Sequence, residues 1–203
     1  MRFLVCVKQV VDTSKMEVDP NTGRLNRNNA NSIINPLDLH ALEAALALRD
    51  QVGGTVTVLT MGPPQAEQVL QYAVSMGADD VYLATDRAFG GADTLATSYT
   101  LAAAIRKLGS FDLIFCGQES LDSNTAQIGP EVAAMLSMPD VSGAVDISYE
   151  REGYITVRRQ LSDEDEVLEM KLPALITTAE SLNRPRYPSV LGIMKKDHVE
   201  IHK

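Results

Sequence analysis

The segment over residues 113–127, LIFCGQESLDSNTAQ, decides the fold class of this chain. Residues 113–116 are continuously apolar, which is typical of a strand buried on both faces of a parallel sheet. The eleven residues 117–127 are mostly polar, whereas an ordinary loop between a strand and a helix needs only about 2–6 residues. A buried strand that runs into a long polar loop predicts an α/β fold with a ligand site at the strand end.

The same alternation of strand and helix patterns extends towards the N-terminus. Further apolar, β-branched runs lie at residues 3–11, 55–61 and 81–84. Helical patterns lie at residues 36–52, 64–76, 93–108 and 125–136, and the first three end at Gly53, Gly77 and Gly109. Repeated β-α-β units predict a doubly wound, mainly parallel sheet of the Rossmann-like, nucleotide-binding type.

Three stretches depart from this alternation. Residues 12–35 form a polar excursion whose centre, Asp19-Pro20-Asn21-Thr22-Gly23, predicts a small hairpin. After residue 140 the pattern becomes β, over residues 141–149, 154–161, 167–172 and 174–178, which predicts an antiparallel, β-rich C-terminal addition. Residues 182–203 mix proline and glycine with apolar residues and are interpreted as a loop and connector. We expect one domain over residues 1–203.

Composition excludes several classes of function. A formal net charge of −9 argues against a nucleic-acid partner, because phosphate binding needs a basic face. No window approaches the roughly 20 apolar residues of a membrane-spanning helix. Cys6 and Cys116 lie in apolar runs, which favours two core thiols in a reducing, cytoplasmic compartment, with a disulfide as the alternative. The three histidines lack metal-ligand spacing, so no metal is expected.

The candidate ligand residues follow from the position of strand ends. Cys6-Val7-Lys8, Asn35-Pro36 and Met61-Gly62 join residues 117–127 at the edge where parallel strands end. In residues 89–97, two glycines precede a helix that is predicted to start at Asp93. This arrangement favours phosphate binding, but it also occurs in loops that bind no ligand. Neither a nucleophile elbow nor a Walker motif occurs. The residues therefore predict a nucleotide-binding domain without an evident catalytic group of its own.

Several segments in the same order resemble the electron-transfer flavoprotein beta family over nearly the whole chain. They are Val5-Cys6-Val7-Lys8-Gln9-Val10, the helix start at Asn35-Pro36, residues 73–79, residues 117–129, the signature over residues 157–177, and residues 182–187. Ser162 stands where that signature usually has an acidic residue.

The resemblance implies an electron-carrier subunit that binds an adenine nucleotide beside an alpha subunit, whose own FAD shuttles electrons. In ordinary members the beta-subunit nucleotide is AMP, a structural ligand. In electron-bifurcating members the same pocket holds the adenosine end of a second FAD, which takes a hydride from NADH and sends its electrons along two paths. Residues 86–98, DRAFGGADTLATS, are similar to the bifurcating branch, where this run receives the FAD diphosphate, and Met61-Gly62-Pro63-Pro64 also favours that branch. We therefore expect FAD, with AMP as the alternative.

The site residues follow from the segments and the resemblance together. Adenosine and ribose are expected against Cys6, Asn35, Asp38, Met61 and residues 117–127, although core packing is the alternative role of the Cys6 and Met61 side chains. The diphosphate is expected against Asp93, Thr94, Thr97, Ser123, Asn124 and Thr125. The full predicted set is Cys6, Asn35, Pro36, Asp38, Met61, Gly62, Gly91, Asp93, Thr94, Thr97, Gly117, Gln118, Ser120, Asp122, Ser123, Asn124, Thr125, Ala126 and Gln127.

The resemblance also implies partners. These are the alpha subunit, an acyl-CoA-type or related dehydrogenase and, in the bifurcating case, NADH with ferredoxin or flavodoxin. Tyr187, Val190 and Leu191 fall in the loop that docks the dehydrogenase in the family, with Val190 at the position of an anchoring leucine, although a buried connector is the alternative. Family members continue past Lys203 as an arm around the alpha subunit. A stress-protein-like ATP-binding module is a rival interpretation, but it would lack the β-rich tail.

Overall fold

A computed structural model describes residues 1–12 and 32–203. Its main sheet has the strand order β11-β5-β4-β1-β6-β10-β7-β8-β9. These strands are β1 (Arg2–Cys6), β4 (Thr55–Met61), β5 (Asp80–Ala84), β6 (Leu113–Gly117), β7 (Asp140–Ser148), β8 (Tyr154–Gln160), β9 (Asp165–Lys171), β10 (Ala174–Thr178) and β11 (Ile201–His202). Pairing is parallel from β11 to β7 and antiparallel through β8 and β9. The predicted doubly wound, mainly parallel α/β fold is confirmed.

Helices cover both faces of this sheet. They are α1 (Pro36–Val52), α2 (Glu67–Met76), α3 (Thr94–Leu108), α4 (Ile128–Leu136) and α5 (Val190–Lys196), with short 3₁₀ turns at Pro64–Ala66, Arg87–Phe89 and Glu180–Leu182. On one face, Phe3 and Val5 of β1 pack in a core with α1 and α2, and on the other face Leu4 packs with Leu101 of α3. Alternate side chains of β1 thus pack into two cores, which is why the strand is apolar from Phe3 to Cys6.

The N-terminal apolar run divides into two strands. β1 ends at Cys6, and a separate strand, β2 (Gln9–Val11), pairs antiparallel with β3 (Ser32–Ile34). One continuous strand over residues 3–11 was therefore wrong. The β2–β3 pair forms the base of the predicted excursion over residues 12–35, whereas the turn sequence Asp19-Pro20-Asn21-Thr22-Gly23 lies outside the described residues.

The C-terminal strands correct a second expectation. β7, β8 and β9 form the antiparallel extension, but β10 enters the parallel sheet between β6 and β7. An apolar run of five residues is compatible with either direction of pairing, so its sequence does not specify the partner strand. The β-rich part is thus a continuation of the main sheet, in which only the β7–β8 and β8–β9 pairs are antiparallel.

The tail was also misassigned as a loop and connector. It forms α5 and the edge strand β11, which pairs parallel with β5. α5 begins at Ser189, whose side chain accepts a hydrogen bond from the Gly192 backbone N–H at 2.9 Å. Gly192 lies so close to the Ser75 carbonyl of α2 that an added Cβ atom would collide with it. Tertiary packing therefore supports a helix that contains glycine and has only seven residues.

Candidate functional site

A cavity of about 420 Å³ lies at the carboxyl ends of β1 and β6. These two strands are neighbours, and the chain proceeds from β1 in one direction through β4 and β5, and in the other through β6 and β10. In open α/β sheets, such a reversal of strand order leaves a crevice in which ligands bind. The volume lies within the range of small-molecule pockets.

Most of the predicted nucleotide-binding residues line this one cavity. They are Cys6, Asp38, Met61, Gly91, Asp93, Thr94, Thr97, Gly117, Gln118, Ser120, Ser123, Thr125, Ala126 and Gln127. Two separate sequence segments, residues 91–97 and 117–127, are therefore brought to the same place. The predicted residues outside the lining are Asn35, Pro36, Gly62, Asp122 and Asn124.

Asn35 shapes the cavity without lining it. Its side-chain amide donates to Asp38 Oδ1 at 3.0 Å and to the Glu119 carbonyl at 2.8 Å, while its oxygen accepts from the Leu121 backbone N–H at 3.0 Å. It stands at the N-cap position of α1, with Pro36 as the first helical residue as predicted, but its side chain does not cap the helix. The buried Asn35 instead fixes the start of the polar loop after β6.

Asp38 ties helix α1 to the ends of both central strands. Its carboxylate accepts hydrogen bonds from the backbone N–H groups of Lys8 (2.7 Å) and Gly117 (3.2 Å) as well as from Asn35. Burial raises the pKa of Asp38 to about 7, although these hydrogen bonds act in the opposite direction. An added Cβ atom on Gly117 would collide with the Asp38 carboxylate, so the close approach requires glycine.

The loop over residues 118–127 has the backbone of an anion cradle. Asn124 and Ala126 adopt positive φ angles of 50° and 54°, a conformation that costs energy in residues with a side chain and is concentrated at binding sites. Gln127 follows with right-handed φ and ψ of −101° and −28°. Alternation of left- and right-handed residues turns successive N–H groups towards one point, where an anion can bind.

Side chains of this loop are held by Lys8. The Lys8 Nζ atom lies 2.7 Å from Asp122 Oδ1 and 3.3 Å from Ser120 Oγ, and the Ser120 and Ser123 hydroxyl oxygens are 2.6 Å apart. Partial burial acts to raise the pKa of Asp122, but the hydrogen bonds from Lys8 and Ser120 and the charge of Lys8 together outweigh it, so the pKa is lowered. Lys8 is the one lysine or arginine among the described lining residues. It therefore supplies the positive side chain beside the cradle.

The N-terminus of α3 forms another part of the cavity wall. Asp93 caps this helix by accepting from the Ala96 backbone N–H at 2.8 Å, as predicted. Thr94 Oγ1 donates to Glu131 Oε1 of α4 at 3.3 Å, and Ser98 Oγ donates to the other Glu131 oxygen at 2.8 Å. The N-termini of α3 and α4 thus meet at the cavity, and helix N-termini attract anions.

Thr94 and Thr97 are not equivalent, although both line the cavity. The Thr94 hydroxyl proton is directed at Glu131, whereas the Thr97 hydroxyl has no hydrogen-bond partner among residues 1–12 and 32–203. Thr97 is thus the better placed of the two to donate to a bound anion.

Several lining residues were missed in the predicted set. They are Val7, Lys8, Phe89, Ala92, Leu101, Cys116, Glu119 and Ile128. Lys8 and Phe89 were detectable, because each lies within a segment that the sequence analysis singled out. Leu101 was not, because it belongs to the middle of an ordinary amphipathic helix.

The predicted partner-binding residues lie apart from the cavity, at the start of α5. Tyr187, Val190 and Leu191 are 91%, 77% and 79% exposed, so the alternative of a buried connector is wrong. Arg186 holds the adjoining chain to α1, with its Nε atom 2.8 Å from Glu43 Oε2 and its Nη1 atom 2.9 Å from Asp50 Oδ2. The segment is therefore an exposed apolar surface on a fixed support.

Residues 22–203 match the family described as the electron transfer flavoprotein domain. The chain belongs to this family. It is 52% identical over 195 residues to the caffeyl-CoA reductase-Etf complex subunit CarD of Acetobacterium woodii, covering 96% of this chain and 74% of that protein. It is 49% identical over 193 residues to the electron transfer flavoprotein subunit beta of Thermoanaerobacterium thermosaccharolyticum, covering 95% and 74%. It is 47% identical over 199 residues to the acryloyl-CoA reductase electron transfer subunit gamma of Anaerotignum propionicum, covering 96% and 74%.

The resemblance of the chain to electron-transfer flavoprotein beta subunits is therefore confirmed. The signature segment, residues 157–177, runs from β8 through β9 into β10, and within it Arg158 pairs with Asp165 at 2.9 Å and Arg159 with Glu166 at 2.6 Å. These pairs lie on facing strands of the β8–β9 hairpin. Among the described residues, none of the helices combines the length and apolar character needed to cross a bilayer.

Proposed function

We propose that this electron-transfer flavoprotein subunit binds the adenosine diphosphate part of an FAD in the cavity beside β1 and β6. When bound, this flavin would take electrons from NADH and pass them on by bifurcation. The supporting observation is that two separate segments, residues 91–97 and 117–127, both contribute lining residues to one cavity. A subunit that holds AMP needs one phosphate site, whereas two anion-attracting walls suit a diphosphate.

The residues of the cavity fit such a ligand. The N-termini of α3 and α4, the Ala126-Gln127 backbone and the Lys8 side chain all favour negative charge. Cys6, Met61, Leu101 and Cys116 supply the apolar part of the lining, against which a base can pack. The chain thus binds and orients the nucleotide, while electron transfer belongs to the flavin.

The relatives support the choice of partners. One is named as a subunit of a caffeyl-CoA reductase complex and another as an electron transfer subunit of acryloyl-CoA reductase. We therefore propose an alpha subunit as the constitutive partner and an acyl-CoA-type dehydrogenase as an electron-transfer partner, with ferredoxin or flavodoxin as the low-potential acceptor. The free thiols of Cys6 and Cys116 support a cytoplasmic location.

The identity of the bound nucleotide tests the proposal. The chain is purified together with its alpha subunit, the complex is denatured by heat, and the released nucleotides are separated by chromatography. We expect FAD in excess of one equivalent per heterodimer and no stoichiometric AMP. One FAD together with one AMP would instead assign the cavity to a structural nucleotide, as in ordinary members of the family.

A further inference from the structure

Two thiols meet at the floor of the nucleotide cavity. Cys6 ends β1, Cys116 lies in β6, and the two residues are direct partners in the parallel ladder. Partners in a parallel ladder direct their side chains to the same face of the sheet. Both cysteines accordingly belong to the same core cluster with Leu4 and Ile114, and both are free.

The backbone spacing suits a covalent link. Neighbouring strands lie about 4.7–4.9 Å apart, which falls within the separation of about 4.4–6.8 Å between Cα atoms that a disulfide spans. No large movement of the strands is therefore needed to bring one sulfur to the other.

The cavity gives the thiols an exit to solvent. Both side chains line it, although Cys6 is only 7% and Cys116 only 5% exposed. A small reagent that enters the cavity can reach them, whereas a ligand that fills the cavity would cover them. Away from the cavity the thiols belong to a buried core cluster that includes Leu4, Ile114 and Leu175 of the sheet.

We propose that Cys6 and Cys116 form a two-thiol modification site, which small thiol oxidants of the azodicarboxamide class convert into a disulfide and which a bound nucleotide shields. The adjacent Cys6 thiol and burial both raise the pKa of the Cys116 thiol. A thiolate is the nucleophile in this chemistry, and the balance of the reaction is the same whichever of the two thiols attacks first.

The reaction with diamide balances. The Cys6 sulfur adds to one nitrogen of the N=N bond, and the other nitrogen takes a proton. The Cys116 sulfur then attacks the Cys6 sulfur and breaks the S–N bond, while the Cys116 proton goes to the leaving nitrogen. Two thiols are oxidised to one disulfide, and the diazene is reduced to the hydrazine by two electrons and two protons.

Mass spectrometry of the full chain tests the site. The chain contains two cysteines, so diamide can form one intramolecular disulfide, which lowers the intact mass by two hydrogen atoms and joins the Cys6 and Cys116 peptides in a digest. We expect this product in the wild type and its absence in Cys116→Ser. Unchanged mass, or disulfide only between two copies of the chain, would overturn the proposal.

Shielding is tested with AMP as the probe, and its binding is measured separately by calorimetry. The shielding part rests on the proposed nucleotide site. Where calorimetry shows saturation, we expect the rate of disulfide formation to fall by about tenfold or more, because a nucleotide over the floor blocks access. An unchanged rate at saturation would contradict shielding. Failure of both AMP and FAD to bind would contradict the proposed function. The two-thiol site would still be tested independently, by the mass change that diamide causes in the absence of nucleotide.

Discussion

Asp38→Asn should remove a pH dependence from the stability of the subunit. The Asp38 carboxyl is buried and its pKa is raised from 3.8 to about 7, chiefly by burial. Between these values the folded chain retains a proton that the unfolded chain has lost, so the free energy of unfolding falls as pH rises. The contribution of Asp38 is thus favourable below about pH 4 and is lost by about pH 7.

The size of the effect follows from the shift. At about 1.36 kcal/mol per pKa unit, the full shift corresponds to an upper limit on the order of 4 kcal/mol. Between about pH 5 and pH 8 the wild type should lose about 3 kcal/mol through this residue. The amide of Asp38→Asn does not titrate, so the variant should lack this component.

Urea unfolding at about pH 5 and about pH 8 measures the difference. The variant should also be less stable at low pH by about 1–3 kcal/mol, because its amide turns a donor towards the backbone N–H of Lys8 or Gly117. Asp122→Asn is the matched control. Asp122 has a lowered pKa, so its effect lies at more acidic pH and the control should keep the wild-type slope. A variant at Asp38 with the full wild-type slope would refute the assignment.

Three further predictions concern the cavity and the exposed helix. Thr97→Val should weaken nucleotide retention by about tenfold in a filtration assay, because one hydrogen bond to a charged oxygen is lost. Thr94→Val should have a smaller effect, because the Thr94 hydroxyl donates to Glu131. Equal effects of the two variants would contradict this difference. Gly117→Ala should lower the free energy of unfolding by about 1–3 kcal/mol in urea, since the new methyl group overlaps a carboxylate; unchanged stability would show that α1 can move. Val190→Ala or Leu191→Ala should slow electron transfer to the dehydrogenase, because the binding free energy between the two proteins falls by about 2 kcal/mol. The flavin content should stay constant. Loss of flavin would show that these residues support the fold.

The position of the cavity could be predicted because it depends on the ends of strands. Runs of apolar residues identified β1 and β6, and in a parallel sheet their carboxyl ends share one edge. The loop over residues 117–127 was unusual in both length and polarity. These two signals were enough to bring together distant segments without knowledge of the strand order.

Other features depend on packing that no local pattern contains. Glu131 receives hydrogen bonds from Thr94 and Ser98, but it resembles any acidic residue in a first helical turn. α5 has too few residues for a periodic pattern, and its sequence contains Gly192. Contact with Ser75 makes that glycine a requirement of packing, although in the sequence it resembled a helix breaker.

Helix α1 relates the cavity to the exposed surface of α5. At its first turn, Asp38 fixes the ends of β1 and β6. Further along the same helix, Glu43 and Asp50 form ion pairs with Arg186. Arg186 directly precedes the exposed surface formed by Tyr187, Val190 and Leu191. The two proposed functions therefore depend on one helix but on different residues of it. Because the exposed side chains contribute neither to the Asp38 hydrogen bonds nor to the Arg186 ion pairs, truncating them should change the proposed docking surface without disturbing the support of the cavity.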